Sequence, residues 1–141
     1  GGVIYIDGEG NYWIEEYIVS PPTHILNGFI WALWGVYDSW KIMKNEAAEN
    51  LFIQCCRTIE KNLPLYDQGY WSLYEQSDTR LPMISSTFYH QLHILQLIIL
   101  HGLTGVSIFD YYAKRWEKYY QSKTNKYRSI LNKTIFKIFY Y

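Results

Sequence analysis

Two runs, Ile25–Tyr37 and Ile94–Val106, consist almost entirely of apolar and aromatic side chains, which limits what the chain can become. A helix crossing a bilayer needs about 20 such residues, so both runs are too short and no membrane span is expected. A surface helix needs a polar face, which neither run provides. The first therefore reads as a helix buried on most sides and the second as part of a largely apolar helix, and such helices need neighbours. Ser20 before Pro21-Pro22 reads as a hydroxyl cap with proline in the first turn, so the first helix is expected to run from there to about Lys44. Ser85-Ser86 reads as the cap of a helix over about 86–101.

The remaining sequence supplies the partners. Asn45-Glu46 caps a helix over about 46–62 with Ala47, Leu51 and Cys55 facing inward, and Pro64 ends it. A fourth helix, about 105–122, is amphipathic with a basic outer face. At the start, apolar and polar residues alternate on both sides of Asp7-Gly8-Glu9-Gly10, a hairpin signal that sets Tyr12, Ile14 and Glu16 on one face and Trp13, Glu15 and Tyr17 on the other. Short strands are expected within Leu65–Gln76. The tail from about 123 to 141 is basic and aromatic and can continue as helix. Trp34-Gly35 and Tyr37 faintly suggest a tetratricopeptide unit, but no second copy follows about 34 residues later. The pattern is mainly α, in paired helices. Two of them are too apolar to be covered by the other two alone, as in part of a larger ring or barrel.

At 141 residues and 49% hydrophobic content the chain suits one core rather than two domains. Its net charge is zero, which argues against nucleic acid as the main partner. The charge is nevertheless uneven, with an acidic excess before residue 81 and a basic excess after it. The basic end is either a solvated helix face or an anion-binding surface. Cys55 and Cys56 are adjacent, point about 100° apart on a helix and read as packing residues that fix no redox compartment. No charged leader followed by a short apolar run opens the sequence. Asn132-Lys133-Thr134 is a glycosylation sequon, meaningful only in a secretory protein.

No phosphate loop, dinucleotide fingerprint, zinc-binding cysteine set or nucleophile elbow is present, and no cofactor or metal is expected. The notable excess is tyrosine, 15 residues, several of them beside carboxylates or histidines. A phenol near its ordinary pKa of about 10 is a proton donor, and it becomes a base only when a neighbouring cation or strong donor lowers that value. Glu15-Glu16-Tyr17 ends the second strand, and Tyr74-Glu75 lies in the aromatic loop with Arg80. Tyr89, His93 and Gln96 form one polar stripe at helical spacing, with His90 a turn from His93. Such a stripe either lines a cavity or satisfies a polar core. The two histidines have metal-ligand spacing but no third ligand. Asn27 shares a helix face with Thr23, where hydrogen bonding within the core is the simpler role.

Taken in order, the words EEY (Glu15–Tyr17), LNGF (Leu26–Phe29), GVYD (Gly35–Asp38), LPLYD (Leu63–Asp67), LYE (Leu73–Glu75), YHQLH (Tyr89–His93) and KRWEKY (Lys114–Tyr119) resemble the C-terminal catalytic domain of the D-glucuronyl C5-epimerases. The resemblance covers roughly Tyr12 to Gln121. It implies an α/α-barrel (toroid) domain over residues 1–122, of which this chain is the C-terminal portion, with 123–141 as an unassigned tail. It implies inversion of carbon 5 of D-glucuronate residues to L-iduronate in a heparosan-like polysaccharide, as in heparan sulfate biosynthesis, without a cofactor. The implied partner is a uronic-acid polysaccharide, with a homodimer left open. The implied compartment is the Golgi lumen in an animal-type pathway, or else a bacterial setting. Residue by residue, it implies Tyr74 and Tyr89 as an opposed proton-transfer pair, Glu16 as base or orienter and Tyr17 beside it. Glu15 is left as a bystander. Arg80 is expected to clamp the uronate carboxylate, and His90, His93, Asn27 and Gln96 to line the sugar site. A polysaccharide lyase sharing the same proton abstraction, and a non-catalytic acidic-glycan-binding module, are the alternatives.

Overall fold

In the computed structural model, which describes residues 3–140, Asp7 organises the N-terminal hairpin. Gly1 and Gly2 of the expected hairpin and Tyr141 of the tail lie outside the described residues. The Asp7 carboxylate accepts hydrogen bonds from the backbone N–H of Glu9 and Asn11, from Asn11 Nδ2 and from Trp13 Nε1. Burial alone would raise its pKa, but these donors hold it well below the ordinary carboxylate range. Strands β1 (Ile4–Ile6) and β2 (Tyr12–Ile14) pair antiparallel with Tyr5 opposite Trp13. Of the two turn glycines, Gly10 takes the left-handed φ of 81° that a side chain would resist. β2 rests on the second helix, where Thr58 Oγ1 accepts the Tyr12 N–H at 2.8 Å.

The first helix, α1, spans Leu26–Met43 and so begins later than the Ser20-Pro21-Pro22 signal predicts. Long-range contacts account for the difference. Glu15 accepts hydrogen bonds from the His24 N–H, at 3.1 Å, and from the His24 ring, holding His24 in a left-handed conformation, φ 50°, that a helix cannot contain. The Leu26 N–H, one of the four orphan donors at a helix start, is instead satisfied by the carbonyl of Tyr74 at 3.1 Å. Nor is α1 buried on most sides. Leu26, Phe29, Ile30 and Leu33 face inward, while Trp31 is 50% exposed.

Lys44, left-handed at φ 56°, turns the chain into α2 (Glu46–Asn62), where Asn45 Oδ1 accepts the N–H groups of Ala47 and Ala48, a side-chain cap as the sequence predicts. Of the expected inward residues Cys55 is buried and Leu51 half-buried, while the rest of the buried face is carried by other residues. Ala48, Phe52, Cys55, Cys56 and Ile59 are inside and Ala47 is exposed. Both cysteines are free and buried, and burial pushes each thiol up to about 12. After a 3₁₀ turn at Leu63–Tyr66 the chain crosses the aromatic loop with only isolated bridges, Asp67 to Ser72 and Leu73 to Ile84.

Helix α3 (Thr87–Thr104) is capped by Ser86 Oγ, which accepts the Tyr89 N–H at 3.2 Å. Gly105, at φ 71°, then reverses the chain into α4 (Ser107–Gln121). α1 with α2 and α3 with α4 thus form two hairpins of packed helices with two-residue connections, the antiparallel pairing expected of short links. The tail is helical: α5 spans Lys123–Tyr140 and buries Ser129 and Phe136. Trp71, Trp116, Tyr66, Phe29 and Phe109 fill the centre. Apolar side chains remain on the outer faces of the two apolar helices, Trp31 on α1 and Phe88, Leu95 and Ile98 on α3. Among the described residues no helix is long and apolar enough to cross a membrane, and no three metal-ligating side chains come together.

Candidate functional site

The polar stripe of α3 lies beneath the aromatic loop. Ser72 Oγ is its hub, within 2.9 Å of Ser85 Oγ, 2.8 Å of His90 Nδ1 and 3.0 Å of His93 Nδ1. The Ser72 N–H also donates to His90 Nδ1 at 3.2 Å, and the Trp116 carbonyl lies 3.0 Å from His90 Nε2. A backbone donor on Nδ1 and a carbonyl on Nε2 fix His90 as the neutral tautomer with its proton on Nε2. Its ring stacks on Trp71 at 3.8 Å. Burial lowers the pKa of His90 to about 4 despite the Trp116 carbonyl, and burial with the neighbouring His90 lowers that of His93 to about 3.

This network has a pH signature. From pH 6.5 down to about 4 for His90 and about 3 for His93, the unfolded chain binds protons on these histidines that the folded chain refuses, so their contribution to stability is complete above pH 6.5 and falls as pH drops through that window. A loss on the order of 5 kcal/mol for the two histidines together is expected, read as a falling urea midpoint from pH 7 to 4.5. A flat midpoint would show that the network does not hold the rings neutral.

The network serves the residue two positions on. Ser72 is tied from below, the Leu73 N–H donates to the Tyr66 carbonyl and the Tyr74 N–H to the Met83 carbonyl, both at 2.8 Å, and the Tyr74 carbonyl caps α1. The Tyr74 backbone is therefore fixed on every side. Its ring meets that of Tyr89 edge-on, centroids 4.9 Å apart. Burial first, then the charge of Glu16 and the nearby Tyr89, raise the Tyr74 phenol well above its ordinary value. Tyr74 lines an open groove of about 530 Å³ with Tyr17, Thr23, Glu75, Met83 and Phe136.

The expected site residues separate into three groups. Tyr74, Tyr89, Glu16 and Tyr17 come together, with Glu16 so close to α1 that a Cβ added at Gly28 would collide with its Oε2. The two phenols, however, are neighbours, and edge contact leaves no room for a pyranose ring between them. His90, His93 and Gln96 are fully buried. Gln96 Nε2 donates to the Asn27 carbonyl at 2.9 Å, which ties α3 to α1, while Asn27 Oδ1 is buried without a partner among the described residues. Arg80 is exposed and lines a separate recess with Leu81, Ile135, Phe139 and Tyr140, adjoining the groove through Tyr140.

Three residues gain a part that local sequence did not reveal. Glu15 is 6% exposed, so the outer carboxylate is Glu16 and the bystander is an anchor. His24, which Glu15 holds, stacks on Trp13 at 3.9 Å and presents its carbonyl to the Tyr66 hydroxyl at 2.6 Å, shaping the segment that carries Thr23 to the groove. Asp67 accepts from Arg115 Nε at 2.5 Å and lies 3.4 Å from the Tyr119 hydroxyl, joining the loop to α4. The signals were present, since LPLYD and KRWEKY hold these residues, but nothing local pairs them.

Comparison with known proteins bears on the same residues. Residues 1–118 match the family described as D-glucuronyl C5-epimerase C-terminus. An uncharacterized protein of Methanocaldococcus jannaschii is 33% identical over 121 residues, covering 84% of this chain and 38% of the relative. A D-glucuronyl C5-epimerase of Caenorhabditis elegans is 29% identical over 133 residues, covering 84% of this chain and 22% of the relative. The chain thus spans well under half the length of either relative.

Proposed function

The chain belongs to the D-glucuronyl C5-epimerase C-terminus family, and from that premise we propose that it carries the proton-transfer site of an epimerase acting on glucuronate residues of a heparosan-like polysaccharide. The observation that carries this reading is the placement of Tyr74 at the edge of an open groove, its backbone tied to Met83 and to the start of α1, with the Glu16 carboxylate lying against Gly28 of that same helix. A phenol that keeps its proton at neutral pH is suited to give it up only when negative charge develops in front of it.

In the proposed reaction the Glu16 carboxylate takes the proton from carbon 5. The electron pair left behind delocalises into the uronate carboxyl group, and the Tyr74 hydroxyl delivers a proton to the other face, giving iduronate. The Tyr74 phenolate and the protonated Glu16 then exchange with solvent. Tyr89 acts by holding the Tyr74 ring, Tyr17 forms the groove rim, and Arg80 engages a carboxylate of the glycan from its adjoining recess. His90, His93, Asn27 and Gln96 are positioning residues, acting through Ser72 and the start of α1. The two helical hairpins would form part of an α/α toroid, a reading supported by the apolar outer faces of α1 and α3.

The product distinguishes this reaction from its neighbour. Incubation of the intact protein with a glucuronate–N-acetylglucosamine polymer is expected to yield iduronate and no unsaturated uronate. Ultraviolet-absorbing unsaturated ends would instead mean that the group at carbon 4 had left, which is lyase chemistry. Gly28 offers a second test. In Gly28→Ala the new methyl group must displace the Glu16 carboxylate, while alanine favours the helix by about 1 kcal/mol. Stability is expected to be unchanged or slightly raised, with turnover reduced about tenfold or more; full activity would remove Glu16 from the reaction.

A further inference from the structure

We propose that the groove beside Tyr74 continues as a basic trough along α5, in which Lys133 and Lys137 form a subsite for the carboxylates of uronate residues flanking the reacting sugar. The groove shares Met83 and Phe136 with a recess of about 420 Å³ whose other lining residues, among the described residues, are Lys133 and Lys137. That recess in turn shares both lysines with a cleft of about 180 Å³ reaching Ser86 and Thr87 at the start of α3. The three recesses thus adjoin one another through shared walls, from Tyr74 and Glu75, past the apolar side chains of Met83 and Phe136, to two ammonium groups.

The two lysines suit an anionic occupant. Lys133 Nζ donates to the Ile84 carbonyl at 3.0 Å, which leaves two further donors and fixes the head group at the trough wall. Among the described residues neither lysine forms an ion pair. Burial and the like charge of Lys137 lower the pKa of Lys133, with Glu75 opposing, so a carboxylate placed between the two lysines would relieve both costs. A sugar offers an apolar ring face to Met83 and Phe136 while its carboxylate reaches the lysines. Both lysines lie beyond residue 118, where the family match ends, so the subsite is carried by this chain's own tail. The choice of a uronate polymer rests on the epimerase reading.

Calorimetric titration of the full chain with a glucuronate–N-acetylglucosamine hexasaccharide and the matching trisaccharide tests it. For Lys133→Gln with Lys137→Gln, hexasaccharide affinity is expected to fall about tenfold, with a weaker salt dependence. Trisaccharide affinity should change less than about twofold. Lys133→Arg with Lys137→Arg should restore hexasaccharide binding, and the surface variant Lys114→Gln should leave it unchanged. Exposed Lys137 alone, as Lys137→Gln, gives a partial loss that does not depend on the Lys133 to Ile84 contact. Unchanged hexasaccharide affinity in the double variant, an equal loss for the trisaccharide, or no hexasaccharide binding at all overturns the trough. If the trough is confirmed and no carbon-5 exchange occurs, the epimerase reading falls alone. If exchange proceeds and the lysine variants bind normally, the trough falls alone.

Discussion

Tyr74→Phe is expected to lower the rate of epimerisation by about 10²–10⁴ fold, the usual contribution of a positioned general acid, while leaving the fold intact. The ring of phenylalanine keeps the edge contact with Tyr89, and the backbone bonds to Met83 and Leu26 involve no side-chain atom. Only the hydroxyl is lost. Because burial and the charge of Glu16 raise its pKa, that hydroxyl is protonated at neutral pH, and its removal leaves the enolate-like intermediate without its donor. Thermal melting within a degree or two of wild type, together with the rate loss, supports the assignment. An unchanged rate would show that the proton returns from another group. Tyr89→Phe, which keeps the packing and removes a hydroxyl assigned to support, is expected to cost much less.

The second large effect is on stability. Trp71→Ala is expected to cost about 3–5 kcal/mol, a large share of the roughly 5–15 kcal/mol that holds a domain of this size together. Trp71 is fully buried, stacks on His90, and donates its indole N–H to the Ser85 carbonyl at 3.1 Å. Its removal opens a cavity against the Ser72 hub and leaves that carbonyl short of a donor. A denaturant midpoint little changed from wild type would mean that the neighbouring rings of Trp116 and Tyr120 collapse into the space. Trp71→Phe, which keeps a stacking ring but loses the donor and part of the buried ring volume, should fall between wild type and Trp71→Ala.

What the sequence reveals follows the range of the interaction. The caps at Asn45 and Ser86 act within three residues of themselves, so α2 and α3 are legible to within a residue or so at their starts. The hairpin is legible because alternation and turn glycines are equally local. The start of α1 is not, because Ser20-Pro21-Pro22 is overruled by Glu15 holding His24 and by a carbonyl from Tyr74, 48 positions away in the chain. The helical tail is secured by contacts a local window cannot include, such as Asn132 Nδ2 to the Tyr70 hydroxyl at 2.6 Å and Lys133 to the Ile84 carbonyl.

The site follows the same rule. A stripe of histidine and glutamine on an apolar helix signals an unusual environment, but its partner, Ser72, carries no local signal. The stripe could therefore be read as a cavity lining when its atoms are occupied in holding the loop. Glu15 and Glu16 are alike by composition and are distinguished only by where β2 ends, after Ile14. One carboxylate then goes inward to His24, and the other goes outward against Gly28 of α1.

The most direct test of the central claim is deuterium incorporation at carbon 5 of glucuronate when the intact protein and a heparosan-type polymer are incubated in heavy water. Deuterium is expected to enter at carbon 5 of both glucuronate and iduronate with wild-type protein, and incorporation is expected to collapse in Tyr74→Phe. Polymer that binds without exchanging its carbon-5 hydrogen, or exchange that persists undiminished in Tyr74→Phe, would contradict that claim.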